Sequence, residues 1–135
     1  KGVDKTVDDW GKGFFMKKSL PKEFLRGMPA EFYQELSRFE REAVSPEALK
    51  KLLYKSGRHD VTPFLKNIKA PTLVAHSKDD QVVPFYLGEK LHDFIEGSQF
   101  LPLNGLGHSI FYDPEGLIIN SFLAFLSNTK KVNSP

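Results

Sequence analysis

Two short apolar runs, Thr72-Leu73-Val74-Ala75-His76 and Gln99-Phe100-Leu101-Pro102-Leu103, flank one amphipathic stretch from Pro84 to Ile95, and this order constrains the chain more than any other feature. Strand, helix and strand in succession predict parallel pairing through a right-handed crossover. The first run is continuously apolar rather than alternating, as suits a strand covered on both faces. In the helix, Leu87, Leu91, Phe94 and Ile95 share one side and Glu89, Lys90 and Asp93 the other, with Gly97 as the stop. Pro102 places the second strand at an edge or near its own end. Two parallel strands make a poor independent sheet, because three or more with a covered face are usually needed and an unpaired edge stays open. The chain is therefore expected to pair with something.

Before position 60 the chain is helical and charged. A helix is expected from Val7 to Met16, carrying Trp10, Phe14 and Phe15 and strained by Gly11 and Gly13, with Pro21 ending it. From Pro29 to Val44, Phe32, Leu36 and Phe39 recur at helical spacing and predict one buried face. Ser45-Pro46-Glu47 starts a third helix with Leu52 and Leu53 on its apolar side, ending near Gly57. Thr62-Pro63-Phe64-Leu65 reads as a cap and a short turn to about Ile68. Asp113-Pro114-Glu115 caps a last helix whose Ile118, Ile119, Phe122, Leu123, Phe125 and Leu126 predict a broad buried face, and from Ser127 the chain reads as a frayed polar tail. The division expected is 1–60 helical, 61–127 strand and helix, and 128–135 tail.

Composition removes several function classes. The 135 residues carry 19 Lys+Arg against 17 Asp+Glu, a net charge of +2, too small to imply nucleic acid as a partner. With no cysteine, disulfides, thiolate metal sites and a cysteine nucleophile are excluded, which suits a reducing, cytoplasmic setting. No apolar run approaches the roughly 20 residues of a membrane span, and Lys1-Gly2-Val3-Asp4-Lys5 lacks the apolar core of a signal peptide. The start without Met is consistent with a chain that begins inside a longer protein, and equally with processing.

Chemistry is expected in two loops, Ser77 to Pro84 and Gly105-Leu106-Gly107-His108, because each follows the C-terminal end of a predicted parallel strand. The crossover can bring Asp80 and His108 side by side. A carboxylate on one ring nitrogen fixes a histidine's tautomer and leaves the other nitrogen to take a proton from a nucleophile. Read alone, His108 is a surface-loop histidine and Asp80 a solvated carboxylate beside Lys78; the pairing carries the case. His59-Asp60, His76 and His92 have no metal-ligand spacing and read as surface, strand-end and helix-surface residues, so neither metal nor cofactor is expected. Ser109 lacks the strand-to-helix elbow of a nucleophile and reads as a loop residue. Lys17-Lys18, Lys50-Lys51 and Lys130-Lys131 read as solvated faces.

The segment from Ile68 through Pro71, Asp79-Asp80 and Val83-Pro84 resembles the acid-bearing strand and loop of the α/β-hydrolase superfamily, and Gly105-Leu106-Gly107-His108 is similar to its histidine loop. The resemblance covers about residues 60 to 127. It implies the C-terminal part of an α/β-hydrolase fold with Asp80 as acid and His108 as base, since members run nucleophile, acid, histidine in chain order. Asp79 is the lesser candidate for the acid, because the family's small residue three before it and apolar-proline pair after it select Asp80 through Ser77 and Val83-Pro84. Ser77 departs from the usual glycine there. The larger departure is that no Gly-x-Ser-x-Gly elbow and no His-Gly oxyanion loop occurs. Residues 1–60 are similar in place and composition to the latter part of the family's helical cap, where Trp10, Phe14, Phe15, Met16, Phe24, Met28 and Phe32 would line an apolar pocket or simply pack helices.

The resemblance thus implies a serine-type hydrolase of an ester, lactone, thioester or related bond, with an apolar or acyl substrate and a nucleophile from elsewhere, so that the chain alone is expected to be inactive. Its expected partner is the missing N-terminal half or a second copy joined through the strand edge. The alternative is a hydrolase-like ligand-binding or regulatory module without chemistry, with a pure interaction protein as a third reading.

Overall fold

The computed structural model describes residues 2–110 and 112–132. Five helices come first: α1 (Gly2–Asp8), α2 (Phe14–Ser19), α3 (Lys22–Arg26), α4 (Ala30–Ala43) and α5 (Pro46–Ser56). They are followed by α6 (Thr62–Leu65), β1 (Leu73–Ser77), α7 (Tyr86–Phe94), β2 (Gln99–Leu103) and α8 (Leu117–Val132). Five of the predicted elements correspond closely to α4, α5, β1, α7 and β2. Ser45 caps α5 through the Ala48 N–H at 3.2 Å, with Pro46 in the first turn and Gly57 closing the helix.

Several boundaries differ from expectation: α3 is not among the expected helices, and α8 starts at Leu117, after a turn at Pro114-Glu115, rather than directly at the Asp113 cap. No helix runs through Val7–Met16, because Gly11 and Gly13 sit at φ 82° and 71°, a region that residues with a Cβ avoid, and the chain turns there between α1 and α2. Thr62 does not cap α6 but is its first residue, and the Asp60 carboxylate accepts the Thr62 N–H at 2.9 Å. The tail predicted from Ser127 is instead helical to Val132, and residues 133–135 lie outside the described residues, as do the Lys130 and Lys131 side chains.

The helical segment is knitted by one buried acid. Glu40 of α4 is 0% exposed, and its carboxyl group accepts the N–H of Gly11 at 3.0 Å, Gly13 at 2.9 Å and Met16 at 2.9 Å. It thereby satisfies the donors of the Gly11–Gly13 turn and the first turn of α2, which burial would otherwise leave unpaired. Arg41 bonds the Gly11 carbonyl at 2.7 Å, and the Trp10 indole donates to the Val44 carbonyl at 2.9 Å. Asp4 joins α1 to α5 through the Lys50 ammonium and the Tyr54 hydroxyl.

Strands β1 and β2 pair in parallel with Leu73 opposite Gln99 and Ser77 opposite Leu103. Among the described residues the sheet has these two strands alone. One face carries His76 and Phe100 against α7 and Phe85: the His76 and Phe85 rings lie 5.7 Å apart, and His92 stacks on Phe100 at 5.6 Å. The other face, with Leu73, Ala75 and Leu101, opens with Ile118, Phe122 and Phe125 of α8 onto a cavity of about 620 Å³. Here the expected burial fails. Phe122 is 47% and Leu123 54% exposed, and Leu87, Leu91 and Phe94 of α7, with Phe39 of α4 and Leu52 of α5, also face outward. The apolar stripes are present as read but only partly covered: Leu36 of α4 and Ile95 at the end of α7 are buried, whereas these side chains are not.

Candidate active site

Because β1 and β2 are parallel and end in register at Ser77 and Leu103, the loops that leave them emerge on the same rim of the sheet. The Lys78 N–H continues the ladder to the Leu103 carbonyl at 2.9 Å, so the two loops start from one paired junction. Asp80 then turns back on its own loop: its Oδ1 accepts the N–H of Val82 at 2.7 Å and of Val83 at 2.9 Å. Its Oδ2 meets His108 Nδ1 at 2.9 Å. The carboxylate is nearly buried, with 5% side-chain exposure, whereas the imidazole is 39% exposed, so the acid is enclosed and the ring reaches outward.

Burial acts to raise the Asp80 carboxyl, but the bond from His108, the two amides of Val83 and Val82 and the attraction of the ring's positive charge outweigh it. The group is held below its ordinary value of 3.8 and remains an anion at neutral pH. An anionic acceptor on Nδ1 favours the tautomer with the proton on that nitrogen and stabilises the imidazolium when Nε2 picks up a second proton. With Nε2 available, the pair can act as a general base.

The neighbouring carboxylate has a different job. Asp79 Oδ1 accepts the Ser77 hydroxyl at 2.6 Å and the Gly105 N–H at 2.9 Å, and Oδ2 accepts the Gly107 N–H at 3.3 Å. The Ser77 hydroxyl in turn accepts the Leu106 N–H at 3.3 Å. For Asp79 too, burial acts upward and is outweighed, here by the bonds from Ser77, its own backbone, Gly105 and Gly107, so the carboxyl lies below 3.8. The serine that departs from the family's glycine is thus engaged through its hydroxyl. Sequence reading missed both roles, although a hydroxyl two residues before a carboxylate in a polar turn is a local bonding pattern that could have pointed to them.

On its far side the histidine loop rests on the helical segment. The Ser109 N–H bonds the Ser19 carbonyl at 2.7 Å, which assigns Ser109 the loop role expected of it. Gly107, at φ 59°, lies so close to Ser19 and Leu20 that a Cβ there would come within 3.3 Å of their backbone. Phe24 of α3 meets the Tyr112 ring at 4.8 Å. Trp10 packs against Phe15 and Phe24 against Phe32, and Met16 borders a groove shared with Leu36 and Phe39.

His59 is exposed, as expected of a surface residue, but His76 and His92 are more engaged than expected. His76, the penultimate residue of β1, is half-buried at the strand end expected of it, and with its Nε2 3.2 Å from Asp80 Oδ2 and 3.1 Å from the Val83 carbonyl it also belongs to the acid's surroundings. His92 lies against Phe100 and its Nδ1 is 2.8 Å from the Ser98 hydroxyl. Among the described residues no group of three or more His, Cys, Asp or Glu is arranged to hold a metal ion, and no helix is long and apolar enough to cross a membrane.

A parallel strand–helix–strand unit with an acid and a histidine on adjoining loops defines the closing portion of an α/β-hydrolase fold. No family model matches the chain. Among curated proteins it is similar to the AB hydrolase superfamily protein YisY of Bacillus subtilis, 34% identical over 125 residues, covering 93% of this chain and 42% of that one. Among solved structures it resembles an esterase from Exiguobacterium antarcticum, with TM-score 0.70 and 22% identity over 93% of this chain and 47% of the other. A bromoperoxidase from Bacillus anthracis gives TM-score 0.71 at 20% identity, covering 92% and 49%. The chain belongs to the α/β-hydrolase superfamily and corresponds to the C-terminal portion of its members, spanning less than half the length of the relatives it matches.

Proposed function

We propose that this chain carries the acid and the base of a serine-type hydrolase of ester, lactone, thioester or related acyl bonds. The observation that carries the reading is the 2.9 Å contact between His108 Nδ1 and Asp80 Oδ2 at the rim of the sheet. In this reading Asp80 holds the ring, His108 Nε2 takes the proton of a serine hydroxyl as it attacks the carbonyl, and the same nitrogen returns the proton to the leaving group. Esterase chemistry is supported by the similarity to the bifunctional esterase/perhydrolase DCH of Acinetobacter calcoaceticus, 34% identical over 68 residues, half of this chain.

The serine and its oxyanion loop would come from residues outside this chain, which has no Gly-x-Ser-x-Gly. Residues 1–60 act as part of a cap, 61–127 as the last part of the hydrolase core and 128–135 as its trailing end. The open face of β1 with its cavity of about 620 Å³ between sheet and α8 suits the remaining half of the fold as partner. The absence of cysteine makes a cytoplasmic setting part of the same proposal.

Two measurements test it. The isolated chain, assayed with a short acyl ester, is expected to show no turnover; turnover abolished by His108→Ala would show that the nucleophile lies within these 135 residues after all. In a complete hydrolase containing this segment, His108→Ala should lower kcat by roughly a thousandfold or more, and an unchanged kcat would remove the base assignment.

A further inference from the structure

We propose that Ser77 and Asp79 are positioning residues for His108, forming a clamp on the backbone of the histidine loop that works independently of Asp80's hold on the ring. The inference rests on the acid–base reading of Asp80 and His108 and goes beyond it. Three consecutive amides, those of Gly105, Leu106 and Gly107, are the last before His108, and all three donate to this pair of side chains. Asp79 takes the outer two, Ser77 takes the middle one, and the Ser77 hydroxyl donates to Asp79 at 2.6 Å, which joins the two acceptors into one unit. Ser77 is 0% exposed at the last position of β1, so the clamp is anchored in the sheet.

The loop needs such a restraint. Gly105 and Gly107 sit at φ 76° and 59°, conformations that glycine reaches readily and abandons as readily. Glycine loses more backbone freedom on ordering than any other residue, so without fixed partners the two would let the next side chain swing. The ring is exposed and meets Asp80 through a single bond, which gives orientation only if the ring's own backbone is already in place. Adjacent carboxylates therefore divide the work: Asp80 sets the ring's proton, and Asp79, with Ser77, sets where the ring stands.

The test uses the 135-residue chain and the tautomer of the His108 imidazole, read by long-range ¹H–¹⁵N correlation while the pH is raised until the ring nitrogens report the neutral form. In the unmodified chain the proton should reside on Nδ1, and Asp80→Asn should abolish that preference. Asp79→Ala and Ser77→Gly should each move the ring toward the Nε2–H form that free imidazole prefers. Each should also speed amide exchange at Gly105 to Gly107 by about tenfold. Asp79→Asn, which keeps one oxygen acceptor, should fall between. A folded Asp79→Ala or Ser77→Gly chain with the original tautomer and exchange would overturn the clamp. If Asp79→Ala fails to fold, Ser77→Gly decides alone, since it leaves the Asp79 bonds to Gly105 and Gly107 in place. An unmodified chain lacking the Nδ1–H form would instead remove the acid–base reading and the clamp with it.

Discussion

Truncating Glu40 should unlock the helical segment. Its carboxyl group is fully buried and accepts three backbone N–H groups, from Gly11, Gly13 and Met16, all within 3.0 Å. Glu40→Ala removes every acceptor at once. A buried donor stranded in this way costs about 1–3 kcal/mol, but a water entering the vacated space would recover part of it, so the net loss is expected at about 3–5 kcal/mol. Glu40→Gln separates hydrogen bonding from bulk: one amide oxygen still accepts, while the NH₂ confronts at least one N–H, donor against donor, for about 2–3 kcal/mol. Because Trp10 is the chain's single tryptophan and is bonded to Val44 beside this turn, urea unfolding followed by its fluorescence reads the right place. Glu42→Gln on the exposed side of α4 is the control, expected within about 0.5 kcal/mol of the parent. If Glu40→Gln matched that control, the carboxyl would not be what holds the turn, and the account of the segment would be wrong.

Other consequences follow from the same geometry. Asp79 and Asp80 both have carboxyls lowered below 3.8 in the folded chain, so their contribution to stability is fully present above that ordinary value and is lost as pH falls through the lowered ones. Amide protection at Val82 and Val83 should accordingly persist from neutrality to about pH 4 and fall below it, and loss near about pH 5 would contradict the bonding described. Gly88 faces β1 so closely that a Cβ would lie 2.4 Å from His76 Nδ1 and 2.8 Å from His76 Cβ. Despite alanine's better helix propensity, Gly88→Ala should therefore destabilise the chain by about 1–3 kcal/mol in chemical denaturation, and a neutral result would mean that α7 can lift off the sheet freely.

Local chemistry made much of this legible. Proline and glycine positions, a serine cap and apolar periodicity were enough to locate α4, α5, β1, α7 and β2, because each of those elements is decided by residues within a few positions of one another. The strand–helix–strand order then brought Asp80 and His108 to one rim, as parallel pairing demands. The same local rules misjudged Val7 to Met16, where the turn between α1 and α2 is held by Glu40, 24 to 29 positions away.

The sequence by itself determined α4, α5, β1, α7 and β2, the parallel hand-over between the two loops and the choice of an acid and a histidine, since periodicity and topology depend on the order of residues. Only the tertiary structure decided that Asp79 and Ser77 grip the histidine loop, that His76 shares Asp80's surroundings, and that Glu40 is buried under three amides. It also decided which apolar residues are covered: Ile95 is, whereas Leu87, Leu91 and Phe94 of α7 and Phe122 and Leu123 of α8 are not, although their spacing is that of buried faces. The reason is common to all four. A pattern along the chain states which surface a residue turns toward, whereas burial and bonding depend on what distant segment, if any, arrives there.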